Sequence, residues 1–154
     1  MIYVIIAVLI FIADSVIKYK IEHDRKTGDV SSIFNGKILL KKYHNTGAML
    51  NLGAAKPKFM AAVSLVFTAF MSGIFVATLG HKGHNVTKAG LALLLGGAFS
   101  NTYDRLRRKY VVDYISFPVK NDRIRKIVFN VSDFGIMIGA LFLIISESFN
   151  EDVA

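Results

Sequence analysis

The stretch Phe59–Leu79 runs for 21 residues without one charged side chain. A helix of that length matches the roughly 30 Å hydrocarbon core of a bilayer, and strands or helices inside soluble domains are shorter. Three other apolar runs fall short of a full span: Met1–Ala13, Ala89–Tyr103 and Phe134–Ser146, bordered by Asp14, Asp104 and Asp133. Each reaches spanning length only if its bordering aspartate lies at or inside the membrane boundary. The expected spans are therefore about 1–20, 59–79, 87–104 and 131–147, in a single domain covering 1–154. That is an all-α membrane protein of four transmembrane helices, which agrees with a mean hydropathy of +0.47. The first run could serve as a secretory signal, but it lacks a basic lead and Ile12-Ala13-Asp14-Ser15 is a poor cleavage site, so a retained helix is expected.

Four spans alternate, which brings the ends bearing Asp14, Asp104 and Asp133 to one face. The long connections 19–58 and 105–130 lie on that face, and the turn 81–88 lies on the other. A carboxylate at the centre of a span costs about 2.5–3.5 kcal/mol to insert, so three at one face point to a polar site more than to unrelated caps. Within the long connections, Lys37–His44 and Tyr110–Phe117 read as extended, the second being rich in β-branched and aromatic residues and stopped by Pro118. A small β element on the membrane surface is expected.

The net charge of +8 would suggest nucleic acid in a soluble chain. On a membrane chain it points to anionic lipid headgroups instead. The absence of Cys excludes disulfide scaffolds, thiol catalysis and Cys-ligated metals. His81-x-x-His84 has no third ligand nearby and sits at the face opposite the aspartates. Ser15 and Lys18 have the residue types of a nucleophile pair, but Lys18 is better explained as a partner for Asp14 or as a lipid-facing cation.

The densest local text is Gly96-Gly97-Ala98-Phe99-Ser100-Asn101-Thr102-Tyr103-Asp104-Arg105, followed by Val111-Val112-Asp113-Tyr114 and then Phe129-Asn130-Val131-Ser132-Asp133. In the first and third, Asn precedes Asp by three residues, so both side chains share a helix face. Together with Asp14-x-x-x-Lys18 and Asn45-Thr46-Gly47-Ala48, these segments resemble, in order, the motifs of the lipoprotein signal peptidases (signal peptidase II), which are bacterial membrane aspartyl proteases. The pattern has Asp-x-x-x-Lys, Asn-x-Gly-Ala, Gly-Gly…Asn-x-x-Asp-Arg, Val-Val-Asp-Phe and Phe-Asn-x-Ala-Asp. This chain departs from it at Ser100 (usually Gly), at Ser132 (usually Ala), and at Met49-Leu50, where a small residue and an aromatic are more common.

The resemblance implies that Asp113 and Asp133 are the catalytic pair. It gives substrate-binding or supporting positions to Asn101, Arg105, Asn130, Asn45, Gly47, Asp104, Asp14 and Lys18. It implies no metal and no cofactor. The implied substrate is a prolipoprotein whose lipobox Cys carries diacylglycerol, cut just before that Cys, with membrane lipid as the other partner, no nucleic acid and a monomeric enzyme. It also implies a bacterial cytoplasmic membrane, with the site and the β element on the extracytoplasmic side. The positive-inside rule opposes that orientation, because the two long connections hold sixteen Lys and Arg against two in the short turn. The ordered motifs outweigh a charge count on loops that can fold as one unit. Two rivals follow from the residues themselves: a non-catalytic membrane relative that binds lipoprotein or anionic lipid, and a small transporter using Asp14 and Asp133. Only the peptidase reading needs Asp113, which lies outside every span.

Overall fold

The computed structural model describes residues 1–47 and 53–150. Ala48 of the loop motif, the Met49-Leu50 departure and the last residues of the acidic tail therefore lie outside the described residues. Four long helices dominate: α1 (Ile2–Asp24), α2 (Pro57–Leu79), α3 (Asn85–Arg108) and α5 (Val131–Asn150). A short α4 (Asp122–Arg125) lies in the last long connection. Strands β1 (Val30–Ile33), β2 (Ile38–Asn45) and β3 (Val111–Ser116) form an antiparallel sheet in the order β1-β2-β3. The strands anticipated at Lys37–His44 and Tyr110–Phe117 correspond to β2 and β3. β1 was not anticipated.

Helices α1 and α2, and Val131–Ser148 of α5, are long and apolar enough to cross a membrane. α3 is long enough but falls short in hydropathy, a departure from the expectation of four apolar spans. Its position explains why. α3 packs against α1, α2 and α5, so its surface meets protein along most of its length. Thirteen of its residues are buried, among them Ser100, Asn101, Thr102 and Asp104. The apolar surface lies on its neighbours, as on α2, where Phe59, Val66, Phe70 and Val76 are all exposed. Such an outward apolar face suits lipid, and the polar side chains turn inward to one another.

Close packing around α3 depends on its adjacent glycines. A Cβ on Gly96 would lie 2.7 Å from the Ala7 carbonyl oxygen of α1, and one on Gly97 would lie 2.2 Å from the Ser132 carbonyl oxygen of α5. Neighbouring residues project about 100° apart on a helix, so each glycine admits a different partner backbone, and small residues are the usual means of such approach in membranes. Gly97→Ala is expected to destabilise the protein by about 1–3 kcal/mol through overpacking. Gly73→Ala on α2, where a Cβ meets nothing within 4 Å, is the control and should be neutral or stabilising. Thermal unfolding in detergent compares them, and equal midpoints would refute the close-approach account.

The sheet is fixed to the helices through β3. Val112 and Tyr114 are buried with Ile21 of α1, and Ile17, Leu40, Ile115 and Val131 pack around them. On its free edge, β3 bridges to Phe129, with Ile115 and Phe129 exchanging backbone hydrogen bonds of 2.7 Å in both directions. That bridge sets the first turn of α5 beside β3.

Candidate active site

The site forms where the start of α5, the last turns of α3 and the middle of β3 meet. Asn130 precedes α5 and is fully buried. Its Oδ1 accepts from the Asp133 backbone N–H at 2.9 Å, while its own backbone N–H donates to Asp133 Oδ2 at 3.0 Å. This is a reciprocal capping box, with Asn and Asp in the two roles. It satisfies helix-start donors and fixes the Asp133 side chain in one step. The Asn130 amide nitrogen then donates to Asp113 Oδ1 at 2.7 Å, so one residue holds both aspartates.

Asp113 reaches this point from β3. Its second oxygen, Oδ2, accepts from the Asn45 amide at 3.0 Å. The register decides that partner. Leu40 pairs with Ile115, but Tyr43 pairs with Asp113, so β2 carries one extra residue between them. The bulge reverses which side chains of β2 share a face with Asp113. Asn45, opposite Val111, becomes its diagonal neighbour, and His44 turns away to meet Glu22 at 2.9 Å and to stack on Tyr110 at 4.0 Å. Asn45 Oδ1 also accepts from the Gly47 backbone N–H at 3.0 Å.

Asp113 is 2% exposed. Burial, and next the Asp133 charge, push its carboxyl up to about 7 against the pull of the Asn45 and Asn130 amides. A carboxyl that keeps its proton near neutrality beside a second carboxyl is the arrangement of a proton-sharing pair.

α3 supplies the rest. The Asn101 amide nitrogen donates to Asp133 Oδ1 at 2.9 Å, and its Oδ1 accepts from Asn130 at 3.2 Å. Arg105 donates from Nη2 to the Gly47 carbonyl at 3.0 Å, tying the loop after β2 to α3. Arg105 Nε is buried without a partner among the described residues. Asp104 accepts from Arg108 at 2.8 Å and from the Val112 backbone N–H at 3.2 Å, and so joins α3 to β3.

Beneath the pair lies a second polar layer. Lys18, 1% exposed, contacts Asp14 at 2.7 Å, Asn101 Oδ1 at 2.8 Å, Ser100 Oγ at 3.1 Å and Asp104 at 3.2 Å. It is thus a buried partner for Asp14, not a lipid-facing cation. Asp14 and Asp104 balance Lys18 and Arg108, which leaves this layer near neutral. Three members went unassigned in the sequence: Ser100, Ser132 and the Tyr114 hydroxyl all donate to Asp14. Burial and the Asp14 charge raise the Tyr114 hydroxyl far above the ordinary phenol range, so it stays protonated as a donor. For the two serines the only signal was that they depart from the pattern.

All ten expected site residues lie within this one network. The chain as a whole is similar to known proteins. The family model for signal peptidase II matches residues 6–149. Proteins named lipoprotein signal peptidase are similar over most of the chain: that of Lactobacillus johnsonii is 31% identical over 93% of this chain and 89% of its own length. That of Lactiplantibacillus plantarum is 32% identical over 94% and 92%, and that of Bacillus subtilis 31% over 94% and 92%. Among solved structures, a bacterial membrane enzyme determined by the in meso method at 2.3 Å superposes with a TM-score of 0.81 at 25% identity, covering 99% of this chain and 89% of its own. With matches of this extent to model, relatives and fold alike, the chain belongs to the signal peptidase II family.

Proposed function

We propose that the protein is an aspartic endopeptidase that removes the signal peptide from diacylglyceryl-modified prolipoproteins, cutting just before the lipidated Cys, with Asp113 and Asp133 as the catalytic pair. The observation that carries this reading is Asn130, which holds one carboxylate through its side chain and the other through its backbone. Two carboxylates so held share one proton. The ionised member takes a proton from water, and the resulting hydroxide attacks the scissile carbonyl. The protonated member gives its proton to the carbonyl oxygen as the tetrahedral species forms. Collapse then returns that proton to the pair while the leaving nitrogen takes the one drawn from water, so the pair ends as it began. The pair acts as one coupled unit.

Asn101 and Asn130 hold the carboxylates in register, and the Nε–H of Arg105, which has no partner among the described residues, is a donor for a substrate carbonyl. In this reading α3 is the fourth span, enclosed by the other three, and the sheet lies on the extracytoplasmic side of a bacterial cytoplasmic membrane. A site at that face lets the acyl chains stay in lipid while the peptide bond reaches the pair.

The test is incubation of purified protein, in detergent or liposomes, with a diacylglyceryl-modified prolipoprotein, following signal-peptide loss by gel shift. The pH dependence has a definite sign. Asp113 titrates near 7, above its ordinary value, so the pair keeps its shared proton below that pH and loses it above. Cleavage should fall about tenfold per unit as pH rises beyond about 7. Folded protein that cuts none of several lipobox sequences would end this reading, and a rate that keeps climbing to pH 9 would contradict the shared proton.

A further inference from the structure

Asp14 is fully buried and accepts four hydrogen bonds. Lys18 Nζ and Ser100 Oγ donate to its Oδ2 at 2.7 Å each, Ser132 Oγ donates to the same oxygen, and the Tyr114 hydroxyl donates to Oδ1 at 2.8 Å. Four donors from four elements hold the carboxylate, three on Oδ2 and one on Oδ1, so Asp14 cannot turn without breaking several of them. Three of the four donors are hydroxyls, from α3, α5 and β3. They occupy the positions where the family pattern has Gly, Ala and Phe, none of which bears a hydroxyl.

Their consequence passes through Lys18. An ammonium has three protons and accepts nothing. Facing a bare Asp14, it would settle between the two carboxylate oxygens. With hydroxyls already on both oxygens, it keeps a proton for Asn101 Oδ1 at 2.8 Å. Because Lys18 can only donate, Asn101 must present its oxygen to Lys18 and its amide nitrogen to Asp133 Oδ1, at 2.9 Å. The orientation of the group that holds Asp133 is therefore set jointly by the Asn130 amide, at 3.2 Å from the same oxygen, and by Lys18 as Asp14 holds it, one layer below.

The geometry points to Ser100, Ser132 and Tyr114 as positioning residues for peptide-bond cleavage, acting through Asp14, Lys18 and Asn101 on Asp133. This rests on the aspartic peptidase reading above. The charged and titratable groups around the relay are Lys18 on α1, Asp104, Arg105 and Arg108 on α3, Asp113 and Tyr114 on β3 and Asp133 on α5, and none of them is altered by the two serine substitutions.

The experiment compares Ser132→Ala, Ser100→Ala/Ser132→Ala and Ser100→Ala/Ser132→Ala/Tyr114→Phe with wild type, in steady-state cleavage of a diacylglyceryl-modified prolipoprotein across pH 4–9. Each substitution removes oxygen without adding volume, and Ser132→Ala and Tyr114→Phe install the residues of the family pattern. The expected result is a stepwise fall in kcat reaching about 10- to 100-fold in the triple variant, as for reacting groups displaced by about an ångström. KM should stay within twofold, and the acid limb of the pH–rate profile should move toward neutrality. In an Asn101→Ala background the same substitutions should change kcat less than twofold, since the relay ends there. Unchanged kcat and an unmoved acid limb in the folded triple variant would overturn the proposal. So would a fall in folded fraction that accounts for the whole loss of activity. If the triple variant does not fold, Ser132→Ala alone decides by the same two readouts. Asp113→Asn in the same assay separates the two levels: if it still cleaves, the peptidase pair is misassigned, and if it is inactive while the hydroxyl variants match wild type, only the relay fails.

Discussion

Replacing Asp113 by Asn should lower kcat for prolipoprotein cleavage by about a thousandfold or more, within the range that positioned acid–base groups supply. Asp133→Asn should do the same. The two substitutions disturb the fold to different degrees. At Asp113 both oxygens accept from amides, those of Asn45 and Asn130, so an Asn there turns one donor against another and one of the three amides must rotate. At Asp133 an Asn can still accept from the Asn130 backbone and keep both halves of the capping box, losing only the bond from the Asn101 amide. Both variants should remain folded in detergent, and the double variant should be no slower than either single one, because the two groups act as a unit. Gel-shift cleavage with purified variants checks this. More than a tenth of wild-type cleavage in folded Asp113→Asn would place the chemistry elsewhere. Transport or lipoprotein binding without cleavage in the wild type would favour one of the rival readings.

Lys18→Met should be the most destabilising single substitution in the second layer, by about 3–5 kcal/mol, the usual cost of breaking a buried pair from one side. Met matches the length of the side chain, so packing is largely kept. What is lost is the only cation among the described residues that touches both Asp14 and Asp104, two carboxylates almost closed to solvent. Three hydroxyls at Asp14 cannot neutralise its charge, and Arg108 serves only Asp104. Denaturant unfolding in mixed micelles measures the loss. Adding Asp14→Asn to Lys18→Met should restore part of it, since the stranded charge is then removed. A change under 1 kcal/mol in the single variant would mean that this cluster does not hold α1 to α3.

The sequence made some of this plain and hid the rest for identifiable reasons. The apolar runs announced α1, α2 and α5, because lipid demands uninterrupted hydrophobicity of any helix that faces it. α3 was harder to read, since a helix enclosed by protein is free to be polar, and its Ser100-Asn101-Thr102-Tyr103-Asp104 stretch looks more like an end than an interior. β1 was missed because Val30-Ser31-Ser32-Ile33 is short, half polar and exposed, and its pairing with β2 is what makes it a strand. Two Asn-x-x-Asp segments looked alike and behave differently. Asn130 and Asp133 cap a helix on each other, whereas Asn101 and Asp104 diverge from mid-helix, one toward Asp133 and the other toward Arg108. The Tyr114 hydroxyl meets a carboxylate 100 positions earlier in the chain, a contact no local pattern encodes.

The extra residue in β2 has an implication for how chains of this kind diverge. Side chains along a strand alternate like odd and even house numbers, and between Leu40 and Tyr43 the numbering slips by one. Straightening the strand while keeping every residue would bring an imidazole, that of His44, opposite Val111, to the side of the street where Asn45 now faces Asp113. An amide would give way to an imidazole. The turn of residues 34–37 carries no such burden, because it lies beyond the last paired residues, Ile33 and Ile38. In descendants of this sequence the hairpin is free to grow at its tip, while any change in its flank must leave Asn45 opposite Val111.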